Sequence, residues 1–170
     1  MVKTRRFAKV AVGGTFDELH RGHRQLIMTA FEVGEAVVIG LTSDEMLERL
    51  PKKHVVDSYE FRKEALLRFL SSQGVVDRAE IAPLYDAYGT TLTNGCLEAL
   101  VVSQETALVA KEINHLREER HMRPLFIYVI SMVPAEDYVP ISSTRIRRGE
   151  INHEGHLIRP KVDSDSSQTQ

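Results

Sequence analysis

One apolar run constrains the fold of this chain more than any other feature. Residues 36–41 (AVVIGL) form a strand-sized run with no polar residue on either face. Such runs are typical of parallel sheets, because helices cover both faces of the sheet. The run is far shorter than the roughly 18 residues that span a bilayer. It therefore predicts a buried parallel strand in an α/β fold.

Similar runs alternate with helical patterns along the rest of the chain. We predict strands over 7–12, 36–41, 78–83, 97–102 and 125–130, and helices over 22–33, 44–50, 58–70, 105–121 and 142–149. Apolar spacing predicts the inward residues of the third and fourth helices as Phe61, Ala65, Leu66, Phe69, Leu108, Ile113 and Leu116. This alternation predicts a doubly wound, Rossmann-like three-layer sandwich with a parallel five-stranded sheet.

Length and composition indicate a single domain. The chain has 170 residues, and we predict one domain over 1–160 and a disordered polar tail over 161–170. A formal net charge of −2 argues against a bulk nucleic-acid binder. With no signal or membrane segment and one cysteine, Cys96, we expect a cytoplasmic protein that binds neither nucleic acid nor membrane.

The predicted topology brings three loops together. In a doubly wound sheet the ligand lies beyond the carboxyl ends of the strands, near the switch point. The loops after strands one, four and five carry residues 13–23, 103–106 and 133–148. We therefore expect these loops to converge on one ligand.

The first of these loops, GGTFDELHRGH, has the features of a phosphate site. Gly13 and Gly14 permit close backbone approach, and the following helix start offers free N–H groups. Thr15, His20 and His23 add donors to phosphoryl oxygens. The alternative is an ordinary strand–helix turn with surface histidines. A zinc site is disfavoured because no third ligand is placed to join the histidines, and neither the dinucleotide fingerprint nor the P-loop is present.

The third loop carries a second candidate phosphate site, ISSTRIRR over 141–148. Hydroxyl side chains and free N–H groups together suit an anion at this predicted helix start. Arg145 and Arg148 are spaced to share a face, and Arg147 is expected to point elsewhere. The alternative is a plain helix cap with solvated arginines. The hydroxyl residues are Ser142, Ser143 and Thr144.

Together the two segments resemble the H-x-G-H and I-S-S-T-x-x-R signatures of the nucleotidylyltransferase superfamily. Residues 20–23 (HRGH) and 141–147 (ISSTRIR) supply them. Within the superfamily, GLTSDEML, DAYGTT and VVSQET, after strands two, three and four, resemble the archaeal-type phosphopantetheine adenylyltransferases. The likeness extends over about residues 5–155.

The resemblance implies transfer of AMP from ATP to 4′-phosphopantetheine, giving dephospho-coenzyme A and pyrophosphate, with Mg²⁺ carried by ATP. It implies that His23 donates to the α-phosphate in the transition state, His20 contacts the triphosphate, and Thr15 bridges nucleotide and nucleophile. The further ATP contacts that it implies are Gly14, Phe16, Ser142, Ser143, Thr144 and Arg145.

The acceptor side of the implied site is less determined. Either Lys52 or Lys53 would hold the acceptor phosphate, unless both are a solvated pair. Asp86 and Tyr88 would line the pantetheine arm, or else are turn residues. Residues 103–106 (SQET) replace the arginine-containing segment of bacterial members, which leaves Arg117 as a candidate.

Two rival functions and the oligomeric state stay open at this point. The superfamily signatures also fit an enzyme that forms FAD from FMN or a CDP-alcohol from CTP. A non-catalytic nucleotide-binding regulator belongs to a different class. The expected partners are ATP and 4′-phosphopantetheine, and a homo-oligomer is neither predicted nor excluded. In the first loop, Asp17 is the acidic residue to consider as a contact for the metal.

Overall fold

Five parallel strands form one sheet in this protein. The structure, a computed structural model, describes residues 5–50 and 55–158. The spatial order is β3-β2-β1-β4-β5, and all four neighbouring pairs are parallel. The strands are β1 (Phe7–Gly14), β2 (Gly34–Thr42), β3 (Ala79–Leu84), β4 (Ala99–Ser103) and β5 (Phe126–Ile130).

Helices cover both faces of this sheet. They are α1 (Arg21–Val33), α2 (Asp44–Glu48), α3 (Tyr59–Ser72), α4 (Ala107–Glu119) and α5 (Ser143–Arg147). Along β1, Val10 and Val12 belong to the apolar cluster that contains α1 and α3, whereas Ala11 belongs to the cluster that contains α4. Successive strand residues point to opposite faces, so both faces need apolar side chains. The predicted doubly wound three-layer fold is confirmed.

The predicted inward faces of α3 and α4 are right at the buried Leu66 and Ile113 and wrong at one residue of each helix. Phe61 is 55% exposed and Leu108 is 76% exposed. Instead α3 buries Arg62 together with Leu66 and Leu70, and α4 buries Arg117 with Ala110 and Ile113. Each buried face includes an arginine where an apolar residue would be expected. The apolar pattern in the sequence therefore misplaced part of the buried face. The arginines are buried because backbone carbonyls accept their N–H groups.

The strand order creates the switch point that positions a site. β1 lies between β2 and β4, so the connections after β1 and β4 leave toward opposite faces. A crevice forms where such connections diverge. The chain after β5 packs beside it through the buried Val133, Ile141 and Ile151. The domain limits stay a prediction, since the predicted tail over 161–170 lies outside the described residues.

Candidate functional site

A cavity of about 1190 Å³ opens at the carboxyl ends of the strands. All three predicted loops line it, which confirms that they converge. The segment after β2 also contributes to its wall. Its lining includes Gly14, Thr15, Phe16, His20, His23, Ser103, Glu105, Thr106, Ser142, Ser143 and Thr144.

His20 caps the helix that carries the second histidine. Its Nδ1 accepts hydrogen bonds from the backbone N–H groups of Gly22 (3.1 Å) and His23 (3.4 Å). Because Nδ1 is the acceptor, the proton of the neutral ring resides on Nε2. A Cβ at Gly22 would lie 3.1 Å from the His20 ring, so the glycine between the histidines keeps room for this cap. Nε2–H of His20 is left as a donor.

The His23 ring is held by two aromatic neighbours and keeps one nitrogen without a partner. It stacks on His20 at 3.7 Å between centroids and meets the edge of Phe16 at 5.5 Å. Its Nδ1 is buried with no hydrogen-bond partner among residues 5–50 and 55–158. Burial, and then the neighbouring His20, lower the pKa of His23 from 6.5 to about 3. Burial also lowers the pKa of His20 to about 4, helped by His153 and Arg24.

The turn between β1 and α1 has left-handed backbone at two residues with side chains. Phe16 has φ 49° and Glu18 has φ 55°. Phe16 is 1% exposed, so its ring is anchored in the core beneath the cavity. Thr15 lies directly before this turn, and its carbonyl accepts a hydrogen bond from Arg62 at 2.9 Å. Arg62 was not predicted from the sequence: it lies four residues before Leu66 and eight before Leu70, but that spacing does not show that a charged residue on the same helix face is buried.

The two signature segments contact each other directly. Ser143 Oγ donates to the Asp17 carbonyl at 2.7 Å. The Asp17 carboxylate, which is 5% exposed, accepts from Arg147 at 2.8 and 3.0 Å. Ser142 Oγ accepts from the N–H of Arg145 and so caps α5. Segments 126 to 130 residues apart in the chain are thereby joined at one cavity.

The arginines after the hydroxyl residues are oriented differently from the prediction. Arg145 is bound to Asp137 and Glu150 and does not line the cavity. Arg147 and Arg148 line it instead. Arg145 carries the cap N–H of α5, and its side chain turns back toward the acidic residues before and after the helix. The residue that was expected to point elsewhere therefore reaches the cavity.

The two residues predicted to line the pantetheine arm, Asp86 and Tyr88, do not lie in the same cavity. Tyr88 lines a second, mostly apolar cavity of about 210 Å³, which adjoins the first at Gly13, Gly14 and Thr106. Asp86 lines neither cavity; its carboxylate accepts from the N–H groups of Tyr88 and Gly89 and closes a turn. This matches the turn-residue alternative.

The basic candidates for the acceptor phosphate have different outcomes. Lys52 and Lys53 lie outside the described residues, although Leu50 and Val55 on either side line the large cavity. Arg117 is 1% exposed and donates to the carbonyls of residues 91, 94 and 123, so it has a structural role and is not free for a phosphate.

No preformed metal cage is found in the part of the chain that the structure describes. Residues 5–50 and 55–158 contain no group of three or more His, Cys, Asp or Glu side chains arranged around a metal. The Asp17 carboxylate is already bound to Arg147. The expectation that the two histidines do not form a zinc site stays a prediction.

A doubly wound sheet with histidines and hydroxyl donors around a cavity at its switch point is the arrangement expected of a nucleotide-binding α/β protein. The cytidylyltransferase-like family model matches residues 11–149. The chain is 48% identical over 155 residues to the phosphopantetheine adenylyltransferase of Methanothermobacter thermautotrophicus, covering 91% of this chain and 92% of the relative. The chain therefore belongs to the phosphopantetheine adenylyltransferases, within the cytidylyltransferase-like family.

Two more comparisons agree with this assignment. The phosphopantetheine adenylyltransferase of Methanopyrus kandleri is 49% identical over 152 residues, covering 89% of this chain and 96% of that protein. A crystal structure of a protein of unknown function from Archaeoglobus fulgidus superimposes with a TM-score of 0.63 at 36% identity, covering 73% of this chain and 98% of that one. Among residues 5–50 and 55–158, no helix has the length and apolar character to cross a membrane.

Proposed function

We propose that this protein transfers the adenylyl group of ATP to 4′-phosphopantetheine. A phosphate oxygen of the acceptor attacks the α-phosphorus, the bond from that phosphorus to the bridging oxygen breaks, and pyrophosphate leaves with the electron pair. The products are dephospho-coenzyme A and pyrophosphate. The observation that carries the proposal is the convergence of the two signature segments on one cavity in a chain whose relatives bear this name.

Positioning and charge stabilisation supply the catalysis in this proposal. His23 lies at the start of α1 and lines the cavity, and we assign to it the donor for the charge that develops on the α-phosphate. His20 offers Nε2–H to the triphosphate because its other nitrogen is used for the cap. Thr15, which directly follows β1, is assigned the bridge between nucleotide and acceptor in this proposal. A neutral imidazole is a donor that needs no protonation at neutral pH.

In this proposal the second signature segment, residues 141–148, binds the β- and γ-phosphates. Ser142, Ser143 and Thr144 line the cavity with their hydroxyls, and Arg147 takes the part that the sequence assigned to Arg145. Arg147 is held by Asp17, so arriving phosphates would share or replace an existing carboxylate partner. A guanidinium can donate two parallel hydrogen bonds to two oxygens of one phosphate.

Mg²⁺ is proposed to enter with ATP and neutralise the pyrophosphate that departs. The support is chemical: the Asp17 carboxylate in the first loop is bound to Arg147, and Mg²⁺ commonly takes substrate phosphate oxygens as ligands. Calorimetry with Mg²⁺ in the absence of nucleotide is expected to give no binding in the micromolar range. Tight binding of Mg²⁺ alone would contradict this assignment.

The acceptor is proposed to occupy the space between the two cavities. The mostly apolar second cavity, lined by Tyr88, is suited to a long uncharged arm, and it adjoins the large one at Gly14. Lys52 and Lys53 both stay candidates for the acceptor phosphate. Separate alanine variants distinguish them: the lysine that holds the phosphate raises the KM for 4′-phosphopantetheine when it is removed, and the other leaves it unchanged.

A pyrophosphate-release assay with several acceptors tests the proposed function. The purified protein is given ATP and Mg²⁺ with 4′-phosphopantetheine, FMN, nicotinamide mononucleotide or glycerol phosphate, and CTP replaces ATP in a parallel series. We expect turnover with 4′-phosphopantetheine and ATP, at a kcat/KM at least a hundredfold above every other pair. Preference for another pair would identify a different nucleotidylyltransferase, and ATP binding without turnover would identify a regulator.

The cellular setting is part of the same proposal. The single cysteine, Cys96, is exposed and free, which suits the reducing cytoplasm in which a coenzyme precursor would be adenylylated.

A further inference from the structure

One arginine that the reaction above does not use holds the backbone of the phosphate loop. The Arg62 side chain is 1% exposed, although it carries a full charge. Its three nitrogens donate in three directions, to the Asp57 carbonyl (2.7 Å), the Thr15 carbonyl (2.9 Å) and the Asp44 carboxylate (3.0 Å). A buried arginine with this set of acceptors is costly to replace, because each acceptor loses its partner.

The acceptor at Thr15 lies at the most constrained point of the site. The next residue, Phe16, has φ 49°, a conformation that costs a non-glycine residue about 1 kcal/mol or more and persists only when its surroundings hold it. The Phe16 ring in turn lies nearly perpendicular to the His23 ring, with 5.5 Å between the ring centroids. A shift of the Thr15 carbonyl would therefore move the Phe16 ring and, with it, the His23 ring.

The other two acceptors belong to the segment that follows β2. Asp44 is the first residue of α2, and the Asp57 carbonyl lies just before α3. Asp44 and Ser58 of this segment line the cavity. One guanidinium thus connects the loop after β1 with the segment after β2. A lysine ammonium, which is a single point charge, cannot span these three directions.

We propose that Arg62 is a positioning residue that sets the distance between the Thr15 hydroxyl, the His23 ring and the reacting phosphates. This inference rests on the proposed function, because it takes the loop after β1 to face those phosphates. A misplacement of about 1 Å costs roughly a hundredfold in a reaction that depends on orientation. Loss of Arg62 therefore lowers kcat more than it weakens substrate binding.

The test compares Arg62→Lys with Arg78→Lys. Arg78 also donates to three carbonyls, those of Phe31, Gly34 and Glu35, but at the end of the sheet opposite the cavity. We expect Arg62→Lys to lower kcat by roughly 10- to 100-fold, with the KM for ATP changed less than threefold. Arg78→Lys is expected to lower the melting temperature and to leave kcat within twofold of the unchanged protein.

A spectroscopic readout separates positioning from stability. In ¹⁵N-edited NMR spectra, Arg62→Lys is expected to shift the amide signals of Phe16 and His23, whereas Arg78→Lys leaves them in place. If Arg62→Lys does not fold, Asp44→Asn serves instead: it removes the charge of a half-exposed partner, and a smaller loss of kcat with shifts at the same amides is expected.

Several results would overturn the proposal. One is an Arg62→Lys variant with kcat within twofold of the unchanged protein. Another is an equal loss of kcat in the two lysine variants, which would reduce Arg62 to a stabilising residue. If the unchanged protein does not turn over 4′-phosphopantetheine, the proposed function fails, and the positioning role is then decided by the amide shifts alone: unmoved signals at Phe16 and His23 reject it.

Discussion

At the scale of single residues, two stacked imidazoles that stay neutral are the chemical centre of the site. His20 uses one nitrogen to cap α1, and His23 keeps its Nδ1 without a partner among residues 5–50 and 55–158. Burial lowers the pKa of both rings, and the neighbouring His20 lowers the pKa of His23 further, so both imidazoles are neutral at neutral pH. The pair is suited to donate hydrogen bonds to phosphate and unsuited to act as a cationic anchor.

Removal of the His23 ring tests its proposed part in catalysis. We expect His23→Ala to lower kcat by roughly 100- to 1000-fold, the usual effect of losing one donor to a developing charge. Steady-state pyrophosphate release measures it. The control is His115→Ala, whose side chain is 71% exposed on α4. Near-normal turnover by the His23 variant would remove this residue from the mechanism.

The lowered pKa values of the two histidines predict a pH-dependent stability. Well above pH 6.5 both rings are neutral in the folded and unfolded states, so they contribute no pH dependence there. Below pH 6.5 the unfolded chain binds protons that the folded chain, with pKa values of about 4 and 3, does not bind. The free energy of unfolding therefore falls with decreasing pH, by up to about 1.4 kcal/mol per pH unit for each ring.

Urea unfolding between pH 6.5 and 5.0 measures this slope. His23→Asn is expected to have a smaller slope than the unchanged protein, and His115→Asn is the matched control. Equal slopes in all three proteins would show that the buried rings are not the source of the pH dependence.

Residue identities at the site could be predicted from sequence only where a motif displays them. His20, His23 and Thr15 lie in a short segment after a strand, so their convergence at the cavity followed from topology. The orientation of Arg147 could not be predicted, because it depends on Asp17, which lies 130 residues earlier in the chain. Arg62 was missed for the same reason: its partners are backbone carbonyls and a carboxylate brought near by folding.

At the scale of elements, the strands were more predictable than the helix faces. Continuous apolar runs mark buried parallel strands, and all five predicted strands exist, with no end shifted by more than two residues. The faces of α3 and α4 were wrong at Phe61 and Leu108, because each helix buries an arginine. A periodic apolar pattern cannot reveal a charge whose burial is compensated by loop carbonyls.

The close packing of β2 against β1 at Gly34 predicts that a larger side chain at this position destabilises the protein. A Cβ at Gly34, the first residue of β2, would lie 2.6 Å from Val10 Cγ2 and 3.1 Å from the Ala30 carbonyl oxygen. We expect Gly34→Ala to lower the free energy of unfolding by about 1–3 kcal/mol, because the core must shift to admit the methyl group. Chemical denaturation measures this.

Gly95→Ala is the matched control, since a Cβ there meets no atom within 4 Å. This variant is expected to stay within about 0.5 kcal/mol of the unchanged protein. Equal stability of the Gly34 variant would mean that β1 and β2 pack less tightly than the structure indicates.

At the scale of the whole molecule, function depends on the strand order. The order β3-β2-β1-β4-β5 places the switch point between β1 and β4, and the chain after β5 returns to the same edge. The contacts of Ser143 and Arg147 with Asp17 then join the two signature segments. Sequence patterns predicted this convergence, and only the folded structure revealed the polar contacts that fix it.

In the proposed reaction both signature segments surround a single triphosphate. A crystal structure of the protein with Mg²⁺ and α,β-methylene-ATP, which cannot transfer its adenylyl group, would show whether they do. We expect the α-phosphate within hydrogen-bond distance of His23, and the β- and γ-phosphates within reach of Thr144 and Arg147. A triphosphate that touches only one segment, or that lies outside the cavity, would overturn the proposed site.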